Sequence, residues 1–402
     1  MRVLCTGGWG YGNLGDEFIL RGTLAGVKLA LKDASVTFAS FNPETTRKWH
    51  HVDAIPSLHR VYHTGSKPAR AVGIGRAWAS FLLSKYTTRT HLLRVAQEMC
   101  GNFDLVIQAG GGYFNDIFWA FPSFPLELLG AIHSATPVAI IGQTIGPFVH
   151  QFNVARISSI FKQIPFIYVR DDGSIKVLSD LGIHHAKRCA DSALLLGPSN
   201  FKREVPNERR IVVFMQNARP YIAQSGPQQN YLSSEELLDS LAKVLSEIAT
   251  TEDVELVITT TLMGDLHWQV CEELALRLKN RYACTEVTPS RPTSPEDTCN
   301  TLSGAKLCIS MNMHPLILAS ALRIPCIGLS YWWKLDQFMK ESEQTQKTVP
   351  LNLSSRQFQR LLREAVQRSF PTQDDKEASI HDAILQLKRE ALLPYESLAH
   401  FQ

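Results

Sequence analysis

The chain has 402 residues, 45% apolar and 20% charged, a composition typical of an ordinary soluble globular protein with two or three domains. Its formal net charge of +3 is too small to argue for a nucleic-acid partner, and no apolar run is long enough to predict a membrane-spanning helix. The eight cysteines include no Cys-x-x-Cys pair, and several lie in apolar runs. We therefore expect reduced core cysteines and a cytoplasmic protein.

The first half of the chain alternates short apolar strands with helical patterns. A glycine-rich turn and an amphipathic helix from about Asp16 to Lys32 follow the first strand. Continuous Val, Ile and Leu runs are typical of parallel strands covered on both faces, and they predict strands at 2–6, 35–39, 104–108, 137–141 and 166–169. This pattern predicts a Rossmann-like domain over residues 1–200.

The second half repeats the theme after a linker predicted at about 195–207, where Gly-Pro-Ser-Asn is followed by charged residues. A second Rossmann-like domain is predicted over 208–350, with strands at 210–215, 254–259, 306–310 and 325–329. Two helical segments close the chain over 351–402. Two parallel-sheet domains facing each other across a cleft constitute a GT-B-like α/β architecture.

Glycine-rich turns follow two predicted strands of the first domain, at 7–17 and 110–116. Glycine lets the backbone approach a ligand, and the helix start after the first turn favours an anion. The spacing differs from the dinucleotide-binding Gly-x-Gly-x-x-Gly pattern, and tight connections or helix caps would also account for both turns. As candidate acceptor or cleft residues we name Asn13, Asp16, Gly111, Gly112, Asn115 and Asp116.

Two further strand ends of the first domain carry polar residues. Gln143 lies in Gln-Thr-Ile-Gly-Pro, which is either a ligand contact or a turn set by Gly-Pro. Arg170 follows the strand at 166–169, and Asp191 lies in Ala-Asp-Ser-Ala. These residues contact a ligand, form an internal ion pair or cap helices. Gln143 and Arg170 join the candidate residues on the acceptor side.

The stretch from 309 to 339 contains the clearest candidates for catalytic and binding residues. A short strand ends in a polar turn that presents His314 just before a helix predicted at 316–322, and a second buried strand ends near Lys334. Ligands of open α/β sheets bind outside the carboxyl ends of the strands. Histidine titrates near neutrality, and lysine supplies a cation. The sequence therefore predicts a site with an acid/base group and an anion contact.

Taken in order, these stretches resemble the polysaccharide pyruvyl transferase family, the matching pieces being 12–17, 110–114, 142–147, 169–171, 191–193 and 314–334. The resemblance implies an enzyme that moves the pyruvyl skeleton of phosphoenolpyruvate onto two hydroxyls of a sugar. The products are a cyclic ketal and free phosphate. The implied acceptor is a saccharide of a cell-surface glycan or its lipid-linked precursor.

The resemblance also implies residue roles. His314 would exchange a proton with the donor methylene or an acceptor hydroxyl. Arg219, Asn312, Met313 and Lys334 would join it in binding the donor. The family usually has arginine where this chain has Asn312, and an amide cannot make the bidentate contact of a guanidinium. This departure leaves open a nucleotide-sugar-dependent GT-B glycosyltransferase and a catalytically silent glycan-binding homologue.

Nothing in the sequence resembles a metal site. The His50-His51 and His184-His185 pairs are adjacent in the chain and would not face one another on a helix. We therefore expect a metal-independent transferase that needs no cofactor and uses phosphoenolpyruvate as a co-substrate.

The segment between Asp53 and Glu98 is basic and contains no acidic residue. Its seven cations are Arg60, Lys67, Arg70, Arg76, Lys85, Arg89 and Arg94. Apolar residues are interleaved with them, namely Trp78, Phe81, Leu82, Leu83 and Tyr86. A solvated face would explain a charge run, but an acidic acceptor, a lipid-linked diphosphate or an anionic membrane would also suit it. The sequence leaves these alternatives open; the membrane alternative implies peripheral contact through 60–94 with the inner face of the membrane.

Overall fold

The computed structural model describes residues 1–117, 120–197, 207–218, 231–370 and 374–399. The chain divides into two compact units. The first unit comprises Met1–Tyr11, Asp16–Leu195 and Lys388–Gln402. The second unit comprises Gly12–Gly15 and Leu196–Leu387. The short segment Gly12–Gly15 of the N-terminal turn thus belongs to the second unit, and residues 351–402 are divided between both.

The first unit is built on one parallel sheet in the order β3-β2-β1-β4-β6-β7-β8, with β5 pairing on β6. The strands predicted for this half are confirmed. Most of their residues are buried, and this is why they form recognisable apolar runs in the sequence. The described strands are β1 Arg2–Thr6, β2 Ser35–Ser40, β3 Asp53–Pro56, β4 Leu105–Gln108, β5 Gly111–Phe114, β6 Val138–Ile145, β7 Phe166–Val169 and β8 Lys187–Arg188.

Helices connect these strands as crossover elements of βαβ units. The described helices of this half are α1 Leu14–Ala30, α2 Pro43–His50, α3 Leu58–Tyr62, α4 Lys67–Leu83, α5 His91–Cys100, α6 Ser123–His133, α7 Gln151–Phe161 and α8 Asp172–Asp180. The helix predicted from Asp16 to Lys32 therefore begins and ends two residues earlier.

The second unit repeats the plan with the strand order β11-β10-β9-β12-β13-β14, again all parallel. The four strands predicted here are confirmed, and two short edge strands are added. The strands are β9 Asn207–Phe214, β10 Glu255–Thr259, β11 Val287–Pro289, β12 Ala305–Ser310, β13 Cys326–Ser330 and β14 Thr348–Pro350.

The helices of the second half follow their sequence signals. Ser294 caps one of them, because its side chain accepts a hydrogen bond from the Asp297 amide at 3.2 Å. The described helices are α9 Ser234–Thr251, α10 Asp265–Tyr282, α11 Pro295–Leu302, α12 Met313–Ala321, α13 Trp333–Glu341, α14 Ser355–Gln367 and α15 Asp374–Leu398. The end of α15 packs in the first unit, where Tyr395 is fully buried.

The strand order places a topological switch point in each sheet, between β1 and β4 in the first unit and between β9 and β12 in the second. Crossover helices diverge at such points and leave room for ligands at the carboxyl ends of the strands. All eight cysteines are free thiols, and seven are buried. Within the described ranges, no helix combines the length and apolar content needed to span a bilayer.

Candidate active site

His314 lies in the first turn of α12, directly after the carboxyl end of β12. The turn before it is closed by Ser310, whose hydroxyl accepts a hydrogen bond from the Asn312 amide at 2.9 Å and donates to the Asn312 carbonyl at 2.8 Å. Asn312 then occupies the N-cap position with extended backbone, and Met313 begins the helix. Ser310 therefore sets the turn that positions His314 at the strand end.

Asn312 pairs with a second amide at the switch point of this sheet. Its Nδ2 donates to Oε1 of Gln216, which follows β9, the strand next to β12. The Asn312 Oδ1 is buried and accepts no hydrogen bond from the part of the chain that the structure describes. A neutral amide pair thus occupies the position where the family usually has arginine, so Asn312 supplies no positive charge.

The segment Gly12–Gly15 is bound to the turn after β10. The Leu14 amide donates to the Thr261 carbonyl at 2.8 Å, and the Met263 amide donates to the Gly12 carbonyl at 2.9 Å. Asn13 forms an antiparallel bridge with Leu262. These backbone contacts fix Asn13 on the second unit, although the sequence pattern grouped it with the first domain.

The same segment packs against His314. A Cβ atom built on Gly15 would lie 2.3 Å from Nδ1 of His314 and 2.9 Å from its Cγ. Only glycine leaves room for this approach, because such distances are far below van der Waals contact. The Asn13 Oδ1 accepts a hydrogen bond from the Gly15 amide at 3.0 Å. Asn13, Gly15 and His314 therefore form one local cluster at the strand ends of the second unit.

Lys334 follows β13, the neighbour of β12 on the side away from β9. It lies in the first turn of α13, is half-buried, and has its Nζ 5.7 Å from the ring centroid of Trp333. The predicted pairing of adjacent strand ends, one with His314 and one with Lys334, is thus present. Arg219, the other predicted donor contact, lies outside the described residues.

The strand ends of the first unit surround Tyr113. Its ring stacks on Phe124 with centroids 4.9 Å apart and planes 14° from parallel. A Cβ atom on Gly8 would lie 2.2 Å from the Tyr113 hydroxyl oxygen, and one on Gly111 would lie 2.1 Å from the ring. Gly111 also has a φ of +140°. The glycines of both turns therefore make room for this tyrosine, which sequence reasoning did not select.

Charges surround Tyr113 as well. Burial and the adjacent Asp16 carboxylate raise the pKa of Tyr113 well above its ordinary value, although Arg170 opposes them. The phenol consequently remains protonated and able to donate a hydrogen bond. Asp16 and Arg170, which are candidates from the sequence, therefore lie beside Tyr113, which is not one of those candidates.

Arg170 is held by an internal ion pair, one of the alternatives left open by the sequence. It donates to the Asp191 carboxylate and, through Nε, to Oγ1 of Thr144 at 3.0 Å. Burial alone would lower the pKa of Arg170, but the carboxylates of Asp191 and Asp171 outweigh it and raise that pKa. The guanidinium is therefore a fixed positive charge at the ends of β6 and β7.

The remaining candidates of the first unit form hydrogen bonds within that unit. Gln143 is buried and donates through Nε2 to the Ala109 carbonyl, while its Oε1 accepts no hydrogen bond from any described residue. Asn115 donates to the Gly112 carbonyl at 2.7 Å. Asp116 accepts hydrogen bonds from the amides of residues 149 and 150 and from Asn153, all at 2.7–2.9 Å. Asp116 therefore supports the start of α7.

The described residues contain no cluster of three or more His, Cys, Asp or Glu side chains arranged to hold a metal ion.

Two doubly wound parallel sheets with polar strand ends define a GT-B-like α/β protein. The family model for polysaccharide pyruvyl transferases matches residues 13–332, and the chain belongs to that family. It is similar to the amylovoran biosynthesis protein AmsJ of Erwinia amylovora, with 20% identity over 370 residues that cover 85% of this chain and 86% of the relative. Membership supports a pyruvyl-transfer role in polysaccharide biosynthesis.

Solved structures support the fold. The UDP-GlcNAc 2-epimerase of Methanocaldococcus jannaschii matches with a TM-score of 0.61 at 11% identity, covering 97% of this chain and 100% of that chain. A putative UDP-N-acetylglucosamine 2-epimerase of Listeria monocytogenes matches with a TM-score of 0.60 at 12% identity, covering 95% and 91%. At such identities the likeness concerns the fold alone, and it confirms the predicted GT-B-like class.

Proposed function

We propose that the protein transfers the pyruvyl group of phosphoenolpyruvate to two hydroxyls of a sugar in a cell-surface glycan or its lipid-linked precursor. A cyclic ketal forms and phosphate is released. The observation that carries the proposal is the position of His314, which lies at a strand end beside the switch point and packs against Gly15. Family membership supplies the reaction class.

The reaction requires proton transfer at two stages. Protonation of the donor methylene gives a methyl group and makes the central carbon electrophilic. One sugar hydroxyl loses its proton and forms the first C–O bond. The second hydroxyl then forms the other C–O bond as the bond to phosphate breaks, and its proton leaves with the phosphate. A group that titrates near neutrality suits the first stage, and we assign this role to His314.

Donor binding requires groups that attract a phosphate and a carboxylate. Lys334 supplies a cation at the neighbouring strand end. The N-terminus of α12 has no side-chain cap, so its amides are oriented to favour an anion. Arg219 is the second proposed cation. We propose that these groups attract the donor phosphate and carboxylate, and that the reaction needs neither a metal nor a cofactor.

The acceptor saccharide is assigned to the strand ends of the first unit. The protonated Tyr113 phenol is a hydrogen-bond donor, whereas Asp16 and the Gln143 Oε1 are acceptors. Such mixed groups match sugar hydroxyls, which both donate and accept. Buried Arg170 forms an ion pair with Asp191, and we assign it the role of holding these polar groups in position.

A nucleotide-sugar donor is the second candidate, and one observation leaves it open. The Asn312–Gln216 amide pair is uncharged where the family usually has arginine, and this removes a bidentate contact to the phosphate or carboxylate of phosphoenolpyruvate. Such a donor would make the protein a glycosyltransferase.

A thermal-shift panel separates the two donors. Phosphoenolpyruvate and several nucleotide sugars would be tested singly, because a ligand at 100 times its Kd adds roughly 2.7 kcal/mol of stability. Phosphorus NMR would then follow phosphate release with a saccharide acceptor, using His314→Ala as control. Stabilisation by phosphoenolpyruvate alone, with phosphate release that depends on His314, supports the proposal. Stabilisation by nucleotide sugars alone would refute it, and binding without turnover would indicate a silent homologue.

A further inference from the structure

Six large apolar side chains on the surface of the first unit form a group that we name the apolar patch. Each is between 39% and 77% exposed, and they come from the end of α4 and the segment after it, the turn after β5, the segment before α7 and the first turn of α7. They are Leu82, Leu83, Tyr86, Ile117, Val149 and Phe152. Single exposed apolar residues are ordinary, but a group of this size marks an interaction surface.

Three contacts tie the parts of the patch together. Arg156 of α7 donates through Nη2 to the Ser84 hydroxyl at 2.7 Å, which joins α7 to the end of α4. The Phe121 ring lies 5.6 Å from that of Phe81 and 6.1 Å from that of Phe148, measured between centroids. Asp116, next to Ile117, accepts from the amides of residues 149 and 150. The exposed residues therefore belong to neighbouring elements.

The orientation of α4 is fixed by its inner face. A Cβ atom on Gly73 would lie 1.8 Å from the Tyr62 carbonyl oxygen, so the helix packs tightly on the end of α3. Ala77 and Phe81 are buried on the same side. The opposite side exposes Val72, Arg76, Ala79 and Leu83, spaced by three or four residues along one helix face.

Charge identifies the kind of partner. The sequence between Asp53 and Glu98 has no acid, and between Asp116 and Asp171 the one acid is Glu127, which is buried. Arg76, Lys85 and Arg89 are exposed on or beside α4. An apolar surface bordered by cations and free of exposed acids in both stretches is complementary to an anionic lipid bilayer.

We infer that the apolar patch and these three cations bind the protein to the surface of an anionic membrane. Apolar side chains would enter the boundary between headgroups and acyl chains, and the cations would contact lipid phosphates. Val149 follows β6 at its carboxyl end, the same end that carries Gln143. If the proposed function holds, a lipid-linked acceptor would be presented to the edge of the sheet where we place the acceptor site.

Vesicle sedimentation of the full-length chain tests the inference, with phosphatidylcholine vesicles made with and without phosphatidylglycerol, at low and high salt. The wild type should bind the anionic vesicles, and less strongly as salt rises. The triple change Arg76→Gln, Lys85→Gln and Arg89→Gln should lower affinity on the order of 100-fold at low salt. A charge-matched control on the second unit, Lys279→Gln, Arg356→Gln and Arg360→Gln, should change it less than about threefold.

A second variant tests the apolar contribution. Leu83→Ser, Tyr86→Ser and Phe152→Ser together should reduce vesicle binding at both salt concentrations, with the thermal unfolding midpoint retained because these side chains are exposed. Vesicle binding equal to wild type in either patch variant would overturn the inference. Failure of the wild type to bind anionic vesicles would also overturn the inference. If sedimentation velocity then showed a dimer that the serine variant dissociates, the apolar patch would be an interface between two copies of the chain instead. None of these measurements uses pyruvyl transfer, so failure of the proposed function would leave them interpretable.

Discussion

Replacing Gly15 by alanine is the sharpest test of the cluster around His314. The added Cβ would lie 2.3 Å from Nδ1 of His314, 2.9 Å from its Cγ and 3.1 Å from Oδ1 of Asn13. Gly15 lies in the first turn of α1 and does not require a left-handed backbone, so alanine is otherwise acceptable there. The clash with the imidazole is therefore the main expected effect.

The size of that effect follows from the distances. Ordinary contact between carbon and nitrogen needs about 3.5 Å, so His314 must move by roughly 1 Å. A displacement of this size at a reacting group can lower the rate about 100-fold, and overpacking typically costs 1–3 kcal/mol of stability. Alanine should recover up to about 1 kcal/mol of that cost through its helix propensity. We thus expect a large loss of turnover with a modest loss of stability.

The assay is phosphate release from phosphoenolpyruvate with a saccharide acceptor, accompanied by urea unfolding. Gly75→Ala is the matched control, since a Cβ there meets no atom within 4 Å, and it should retain turnover. In a His314→Ala background, Gly15→Ala should have little further effect, because the clashing ring is absent. Full activity of Gly15→Ala alone would refute the placement of His314 against this segment.

His314→Gln should lower turnover by about 100-fold or more in the same assay with little change in thermal stability, because glutamine cannot exchange a proton near neutrality; near-normal turnover would remove His314 from the mechanism. Lys334→Ala and Arg219→Ala should each raise the apparent KM for phosphoenolpyruvate in steady-state kinetics, and an unchanged KM would exclude that residue as a donor contact. Asn312→Arg should tighten phosphoenolpyruvate binding in calorimetry if the site retains that donor, whereas unchanged or weaker binding counts against it. Burial raises the pKa of Glu127 to about 8, so its protonated form stabilises the fold fully at low pH and this stability is lost as pH rises towards 8. Urea unfolding should therefore show Glu127→Gln gaining roughly 3–5 kcal/mol over wild type between pH 5 and 8, and parallel pH profiles would contradict this.

The strands that sequence reasoning identified share one physical property. Leu105–Gln108 and Val138–Ile145 are buried along their whole length, so nearly every position is apolar and the run stands out. The missed strands lack this signal. Asp53–Pro56 lies at an edge of its sheet and is half exposed, while Lys187–Arg188 is only two residues long. The sequence of Gly111–Phe114 predicts a turn, because glycine is depleted in strands, but the segment is a strand.

The candidate site was predictable only where it depends on sheet topology. His314 and Lys334 follow neighbouring strands, and the rule for strand ends is enough to group them. The contact between Gly15 and His314 joins residues that are far apart in sequence, and no local pattern encodes it. Outside the candidate site, Glu17 also contacts a residue that is distant in sequence, His50. The Glu17 carboxylate accepts hydrogen bonds from the Gly10 amide at 2.7 Å and from Nε2 of His50 at 2.8 Å. Because Arg21 donates to the other nitrogen of His50, Nε2 must carry the proton.

The Asn312–Gln216 pair links the family departure to a specific electrostatic question. Arginine at this position would bring a permanent charge to the switch point of the second sheet, whereas the amide pair brings none. Under the proposed function, a donor phosphate there would rely on the N-terminus of α12 and on cations from other strand ends, of which Lys334 is one. A helix terminus contributes about 0.3–1 kcal/mol to an exposed anion, less than one charge-assisted contact of about 1.5–3 kcal/mol. Phosphoenolpyruvate binding in this chain should therefore depend more heavily on Lys334 than in relatives that keep the arginine, and restoring arginine at position 312 should reduce that dependence.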